Sequence, residues 1–203
     1  MKTKKKFYAV REGKSIGVFE TWEECKRQVD GYPGAVYKSF KTYDEAKAFV
    51  LNEDIDQVHL NNLKENEIIA YVDGSYNEET ERFGYGCILI DKNGEIELKE
   101  SFYNEAVKEQ RNVAGEIYAS VTAIKEAIKM NKSKIYLHYD YMGIQAWAEG
   151  DWKTNILLTK RYKKFIDSIK DDIEIVFIKV KAHSNDKYND IVDRLAKESV
   201  GIE

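Results

Sequence analysis

Four carboxylates in the last two thirds of the chain, Asp73, Glu116, Asp140 and Asp193, have the type and placement to hold hard metal ions. Asp73 ends the apolar run Ile68-Ile69-Ala70-Tyr71-Val72 and precedes Gly74-Ser75. Glu116 opens a helical segment after Arg111-Asn112-Val113-Ala114-Gly115, and Asp140 ends a second strand, Ile135-Tyr136-Leu137-His138-Tyr139. Asp193 lies on a late helix, Asn189-Asp190-Ile191-Val192-Asp193-Arg194-Leu195-Ala196. A single acid of this kind is usually a solvated surface group. A set of them, placed where strand and helix patterns converge on one point, is a candidate site. Oxygen ligands gathered without His or Cys suit Mg²⁺ or Mn²⁺, and paired ions of that kind suit phosphodiester chemistry.

The elements that must position these acids begin at Glu67. Strands are predicted over 68–73, 84–91 and 95–103, the last two joined by a tight turn at Asp91-Lys92-Asn93-Gly94. A helix over 115–130 follows, with Ile117, Val121, Ile124 and Ile128 spaced to bury one face. A strand over 134–139, a short helix over 142–148, a helix near 155–169, a strand over 173–180 and a helix over 188–199 complete the pattern. Strands followed by alternating helix and strand predict an α/β fold, a mixed sheet covered by helices. Strand ends in such sheets are where active sites collect.

Residues 6–50 form a separate unit by pattern. Phe7-Tyr8-Ala9-Val10 and Ile16-Gly17-Val18-Phe19 read as strands that turn at Gly13. Thr21 is a predicted N-cap with Glu24 as its capping-box partner, and Gly31-Tyr32-Pro33-Gly34, holding the sole proline, stops that helix. Val36-Tyr37-Lys38-Ser39-Phe40 is a third strand, and Thr42 caps a last helix whose inner face carries Ala46, Phe49 and Val50. The order is β-β-α-β-α. Residues 51–66 lose this periodicity and read as a linker.

Composition supports a packed chain: 203 residues, 43% of them hydrophobic, with 14 Tyr. No apolar stretch approaches the ~20 residues of a membrane span, and the Lys-rich start lacks the apolar segment of a secretion signal. Cys25 and Cys87 lie far apart without metal-ligand spacing, so two free thiols and a reducing, cytoplasmic setting are expected. Charge is uneven. Residues 1–50 carry 11 Lys+Arg against 7 Asp+Glu, net +4, and residues 51–203 carry 21 against 29, net −8. A basic small unit suits a polyanion, and an acidic larger one suits a metal site.

These residues carry a resemblance to a known family. Residues 67–200 resemble a type 1 ribonuclease H, which cleaves the RNA strand of RNA/DNA hybrids. The matching pieces are Tyr71-Val72-Asp73-Gly74-Ser75, Asn112-Val113-Ala114-Gly115-Glu116, Tyr139-Asp140, Val180-Lys181-Ala182-His183-Ser184 and Asn189 through Ala196. Residues 6–50 are similar to the viroplasmin-like hybrid-binding domain at the N-terminus of many such enzymes of the bacterial type. That match runs through Phe7-Tyr8-Ala9-Val10-Arg11, Gly17-Val18-Phe19, Thr21-Trp22-Glu23-Glu24-Cys25 and Gln28-Val29-Asp30.

The resemblance implies a ribonuclease H-like mixed five-stranded sheet flanked by helices, over 67–203, joined by the 51–66 linker to the 6–50 domain. It implies two Mg²⁺ ions per site, with Mn²⁺ as a substitute, held by Asp73, Glu116, Asp140 and Asp193. The implied products carry 5′-phosphate and 3′-hydroxyl ends. Asp190 neighbours the ligand position, but the family pattern selects Asp193, three residues before Ala196. His183 is implied to assist proton movement or product release, with Ala182 standing where the family often has Gly.

Substrate contacts are implied as well. Discrimination of the two strands needs groups that sense the 2′-hydroxyl. Asn112 matches a minor-groove reader, and Gly115 would let a backbone carbonyl approach the RNA. Val113 stands where many relatives carry a second Asn or Gln. Thr154 and Asn155 fall where relatives hold a DNA phosphate. Trp147 and Trp152 either line the DNA channel or pack the core. The short segment between Asp140 and Trp152 lacks most of the basic handle of some relatives, so the N-terminal unit would supply grip through phosphate and sugar contacts. Tyr8, Trp22, Tyr37 and Lys38 match its hybrid-contacting positions, with Ser39 replacing a second Lys.

The expected partner is an RNA/DNA hybrid, with no membrane and no obligate protein partner. The alternative is a catalytically silent hybrid-binding protein, which predicts loss of at least one of the acids; all are present. Another two-metal nuclease on the same fold would place its acids in other local contexts.

Overall fold

The computed structural model describes residues 6–51, 63–105, 110–180 and 187–202. The chain divides into two compact units, Met1–Asn62 and Leu63–Glu203.

The first unit is a three-stranded antiparallel sheet in the order β2-β1-β3, built from β1 (Phe7–Glu12), β2 (Gly17–Phe19) and β3 (Val36–Phe40). Two helices accompany it, α1 (Trp22–Val29) and α2 (Tyr43–Leu51). Both start at reciprocal caps. Thr21 Oγ1 accepts from the Glu24 N–H at 3.2 Å while the Glu24 carboxylate accepts from the Thr21 N–H at 3.2 Å. Thr42 and Glu45 repeat the arrangement at 3.2 and 3.0 Å. Each cap satisfies two of the amide donors that a helix start otherwise leaves open. Ala9, Phe40 and Ala46 form a small core, with Phe7, Val18, Phe49 and Val50 against it.

The second unit contains β4 (Glu67–Asn77), β5 (Arg82–Asp91), β6 (Gly94–Phe102), α3 (Arg111–Lys129), β7 (Lys134–Tyr139), α4 (Gly143–Glu149), α5 (Leu157–Ser168), β8 (Glu174–Lys179) and α6 (Lys187–Ser199). The five strands form one sheet, β6-β5-β4-β7-β8. β4, β5 and β6 pair antiparallel, whereas β7 runs parallel to β4 and β8 parallel to β7. Alternation sends Ile68, Ala70 and Val72 to one face, where they pack with α3, α4 and α5 through Ile117, Ile124, Ile144 and Tyr162. The other face receives α6. A Cβ on Gly86 would meet the Val192 carbonyl oxygen at 2.2 Å, so only glycine lets α6 lie this close to β5.

Three boundaries depart from the sequence reading. β4 does not end at Asp73 but continues to Asn77, because β5 pairs with it as far as Asn77↔Arg82. α3 begins at Arg111, so Glu116 lies in its second turn rather than opening it. The Arg111 guanidinium ties that start to the extended β4 region, 2.8 Å from Glu78 and 5.8 Å from the centre of the Tyr76 ring. Leu63 to Asn66, read as the end of the linker, already belong to the second unit: Leu63 is buried, and the Asn66 carbonyl accepts from the Ser133 N–H at 2.8 Å. Residues 52–62 of that linker lie outside the described residues. Among the described residues, no helix is long and apolar enough to cross a membrane.

Candidate active site

β4 and β7 part where the acids begin. Their last paired residues are Tyr71 and His138, so Asp73 and Asp140 each follow that pair by two positions and share a sheet face with it. Glu116 reaches the same point from α3 across a bare backbone contact. A Cβ on Gly74 would stand 2.4 Å from both the Asn112 carbonyl oxygen and the Glu116 nitrogen, and one on Gly115 only 2.2 Å from the Gly84 carbonyl oxygen. Small residues here let the helix start press against the strand.

The result is a group of three acids. Asp73, Glu116 and Asp140 each present a carboxylate oxygen within 4.8 Å of the others. Glu116 is buried, and its Oε2 accepts no hydrogen bond among the described residues. Burial, then the charges of Asp140 and Asp73, push its carboxyl up to about 9, with the Tyr141 N–H and Lys179 opposing the rise. Asp73 is pushed up to about 7 by burial and by Asp140; the Gly74 N–H, 2.8 Å from Oδ1, opposes this, Asp193 adds to it and Lys197 offsets part. Crowded carboxylates with an unused buried oxygen are what a divalent cation relieves, and an all-oxygen donor set fits Mg²⁺ or Mn²⁺.

Asp193 stands apart from this group. It lies half-buried on α6, near enough for its charge to act on Asp73, and its Oδ2 accepts from Lys197 Nζ at 2.7 Å. Asp190 is exposed one turn earlier. Lys197 and Lys179 are cations the sequence reading does not single out. The signal for Lys197 is local, since it is four residues beyond Asp193 on a helix. His183, with Lys181, Ala182 and Ser184, lies outside the described residues.

The predicted substrate contacts separate into groups. Asn112 is exposed in the first turn of α3. Val113 is partly buried and packs against the core. Gly115 is buried between α3 and the sheet, a packing requirement separate from any substrate contact. Thr154 and Asn155 line an open groove of about 440 Å³ with Trp147, Gly150, Trp152, Lys153 and Lys163. Trp147 both lines this groove and packs against the core, its ring centre 5.8 Å from that of the exposed Trp152.

In the first unit Tyr8, Trp22 and Tyr37 form a row, with ring centres 5.8 and 5.9 Å apart. Trp22 and Tyr37 are exposed. Lys38 does not join them. Strand alternation turns it to the opposite face of β3, where its ammonium lies 5.5 Å over the Phe40 ring. Cys25 and Cys87 are buried free thiols, and burial raises both thiol pKa values.

A mixed five-stranded sheet with three acids gathered where its central strands part defines a nuclease of the ribonuclease H-like class. The family model described as RNase H matches residues 65–201, and that described as Ribonuclease H1 N-terminal domain matches residues 6–50. The chain belongs to the ribonuclease H family and is an enzyme of that kind, with the two-domain order of ribonuclease H1. It is 28% identical to Ribonuclease H1 of Homo sapiens over 252 residues, covering 95% of this chain and 88% of that one. A 44-residue segment, 22% of this chain, is 59% identical to part of Ribonuclease H of Saccharomyces cerevisiae, 13% of that protein. The fold is similar to the crystal structure of LC11-RNase H1 in complex with an RNA/DNA hybrid, with a TM-score of 0.54 at 18% identity, over 66% of this chain and 96% of that one.

Proposed function

We propose that this enzyme cuts the RNA strand of RNA/DNA hybrids internally, leaving 5′-phosphate and 3′-hydroxyl ends, with two Mg²⁺ ions held by Asp73, Glu116, Asp140 and Asp193. The observation that carries this reading is the gathering of Asp73, Glu116 and Asp140 around a buried Glu116 oxygen that accepts no hydrogen bond among the described residues. Divalent ions bound to such a set supply a nucleophile near neutral pH and stabilise charge on the attacked phosphate.

The chain's own residues then divide the remaining work. Asp73 on β4 and Asp140 just past the end of the neighbouring β7 hold the centre of the site. Glu116 closes it from α3, and Asp193 borders it from α6, its charge balanced by Lys197. Asn112, exposed at the start of α3, is assigned to reading the minor groove of the hybrid by the resemblance of its segment. The row of Tyr8, Trp22 and Tyr37 supplies the flat surface by which the first unit holds the hybrid. His183 is assigned to proton movement or product release by the resemblance of its segment.

The test is cleavage of end-labelled RNA alone, as an RNA duplex and paired to DNA, and of the DNA strand itself, each with Mg²⁺, Mn²⁺ or EDTA. Metal-dependent internal cuts confined to the RNA of the hybrid are expected. Tight binding of the hybrid without cutting under either metal would replace this reading by the silent binding protein.

A further inference from the structure

We infer that Tyr71, His138 and Tyr188 form a positioning layer that sets the spacing of the three aspartates and thereby the affinity of the site for divalent cations. The inference rests on reading those aspartates as metal-holding groups.

Tyr71 on β4 and His138 on β7 are directly paired across the parallel ladder, and their rings stack with centres 4.1 Å apart and planes 28° apart. Both are almost wholly buried, at 1% and 2% exposure. Each precedes an aspartate of the site by two residues on the same face. The stack is therefore the last rigid contact between the two strands before they part to present Asp73 and Asp140. Tyr188 adds the third element. It lies in the first turn of α6, its ring 5.3 Å from that of Tyr71, and its hydroxyl donates to Glu95 Oε1 on β6 at 2.6 Å. Asp193 follows on the same helix.

One block of rings thus touches each of the three elements that carry an aspartate. Close-packed interiors transmit small displacements rather than absorb them. Thinning a ring in this block would let β4, β7 and α6 settle differently, and the carboxylates would move with them. Glu116 comes from a fourth element, α3, whose approach is set by its contact with Gly74. The three rings touch no substrate in this reading, so hybrid KM should not register their loss.

The full chain would be compared as native, His138→Leu, which keeps bulk but removes the flat ring, and His138→Phe, which restores it. Mg²⁺ affinity would be read from thermal shift in the absence of hybrid, and KM and kcat measured alongside. His138→Leu is expected to weaken Mg²⁺ binding about tenfold, as loss of a group that orients metal ligands does. Hybrid KM should stay unchanged, and His138→Phe should recover most of the affinity. If His138→Leu does not fold, Tyr188→Leu carries the same test from the α6 side. Folded variants whose Mg²⁺ affinity stays within about twofold of native would overturn the layer, as would Phe performing no better than Leu. A native chain insensitive to Mg²⁺ would instead overturn the metal-site reading, and this inference with it.

Discussion

Gly74 and Gly115 meet backbone to backbone: a Cβ on Gly115 would stand 2.9 Å from the Gly74 Cα. This contact between β4 and α3 is what brings Glu116 beside Asp73. Gly74→Ala must push the start of α3 away, since its Cβ would fall 2.4 Å from the Glu116 nitrogen. Overpacking of this kind costs about 1–3 kcal/mol. Thermal unfolding should register that loss, and Mg²⁺ titration should show a weakened site. Unaltered stability together with unaltered Mg²⁺ affinity would show that the contact is dispensable.

Asp140→Asn removes a charge from the centre of the site while preserving volume. Cleavage should fall about 10³-fold or more, the scale of several kcal/mol that cation-held charge stabilisation supplies. Affinity for the hybrid should persist, measured by fluorescence anisotropy in EDTA. Retained turnover under metal-dependent conditions would remove Asp140 from the site.

The acids also make metal-free stability depend on pH. Asp73 and Glu116 rise from the ordinary values of 3.8 and 4.5 to about 7 and about 9 in the folded chain. An acid with a raised folded pKa binds more protons folded than unfolded between the two values, so stability falls as pH climbs through that interval. The site's favourable contribution is complete below about pH 4 and lost by about pH 9. The Tm in EDTA should therefore drop relative to the Tm in saturating Mg²⁺ as pH rises. The gap should be small near about pH 5 and reach a few degrees at the alkaline end. Glu116→Gln should raise the alkaline Tm in EDTA and shrink the gap. A gap that does not change with pH would contradict the crowded-acid description.

In the first unit Trp22 lies in the middle of the aromatic row, between Tyr8 and Tyr37. Trp22→Ala should weaken hybrid binding by about 1–2 kcal/mol, roughly tenfold in Kd, with kcat at saturating hybrid unchanged. Lys38→Ala should cost less, because Lys38 lies on the opposite face over Phe40. An equal or greater loss at Lys38 would show that the hybrid reaches round the edge of β3.

Much of this molecule is legible residue by residue, because its signals are local. The caps at Thr21 and Thr42 need only a partner three residues on, and both form. The turn after Asp91 and the order of strands and helices follow from short-range pattern, since periodicity and turn chemistry act within a few residues. The acids could be named in the same way, each from its own neighbourhood.

What local pattern cannot supply is register and approach distance, which depend on residues far apart in the chain. Only the folded sheet shows that β4 runs on past Asp73 to pair with β5, and that α3 starts early enough to press Gly115 against Gly74. Only packing separates Asp193, paired with Lys197, from the three acids that gather. Tyr71, His138 and Tyr188 belong to three different elements and nothing in their local sequence marks them as partners. Their stacking beneath the site depends on the ladder that sets Tyr71 opposite His138 and on the helix laid across it, a relationship between distant segments that only the tertiary fold creates.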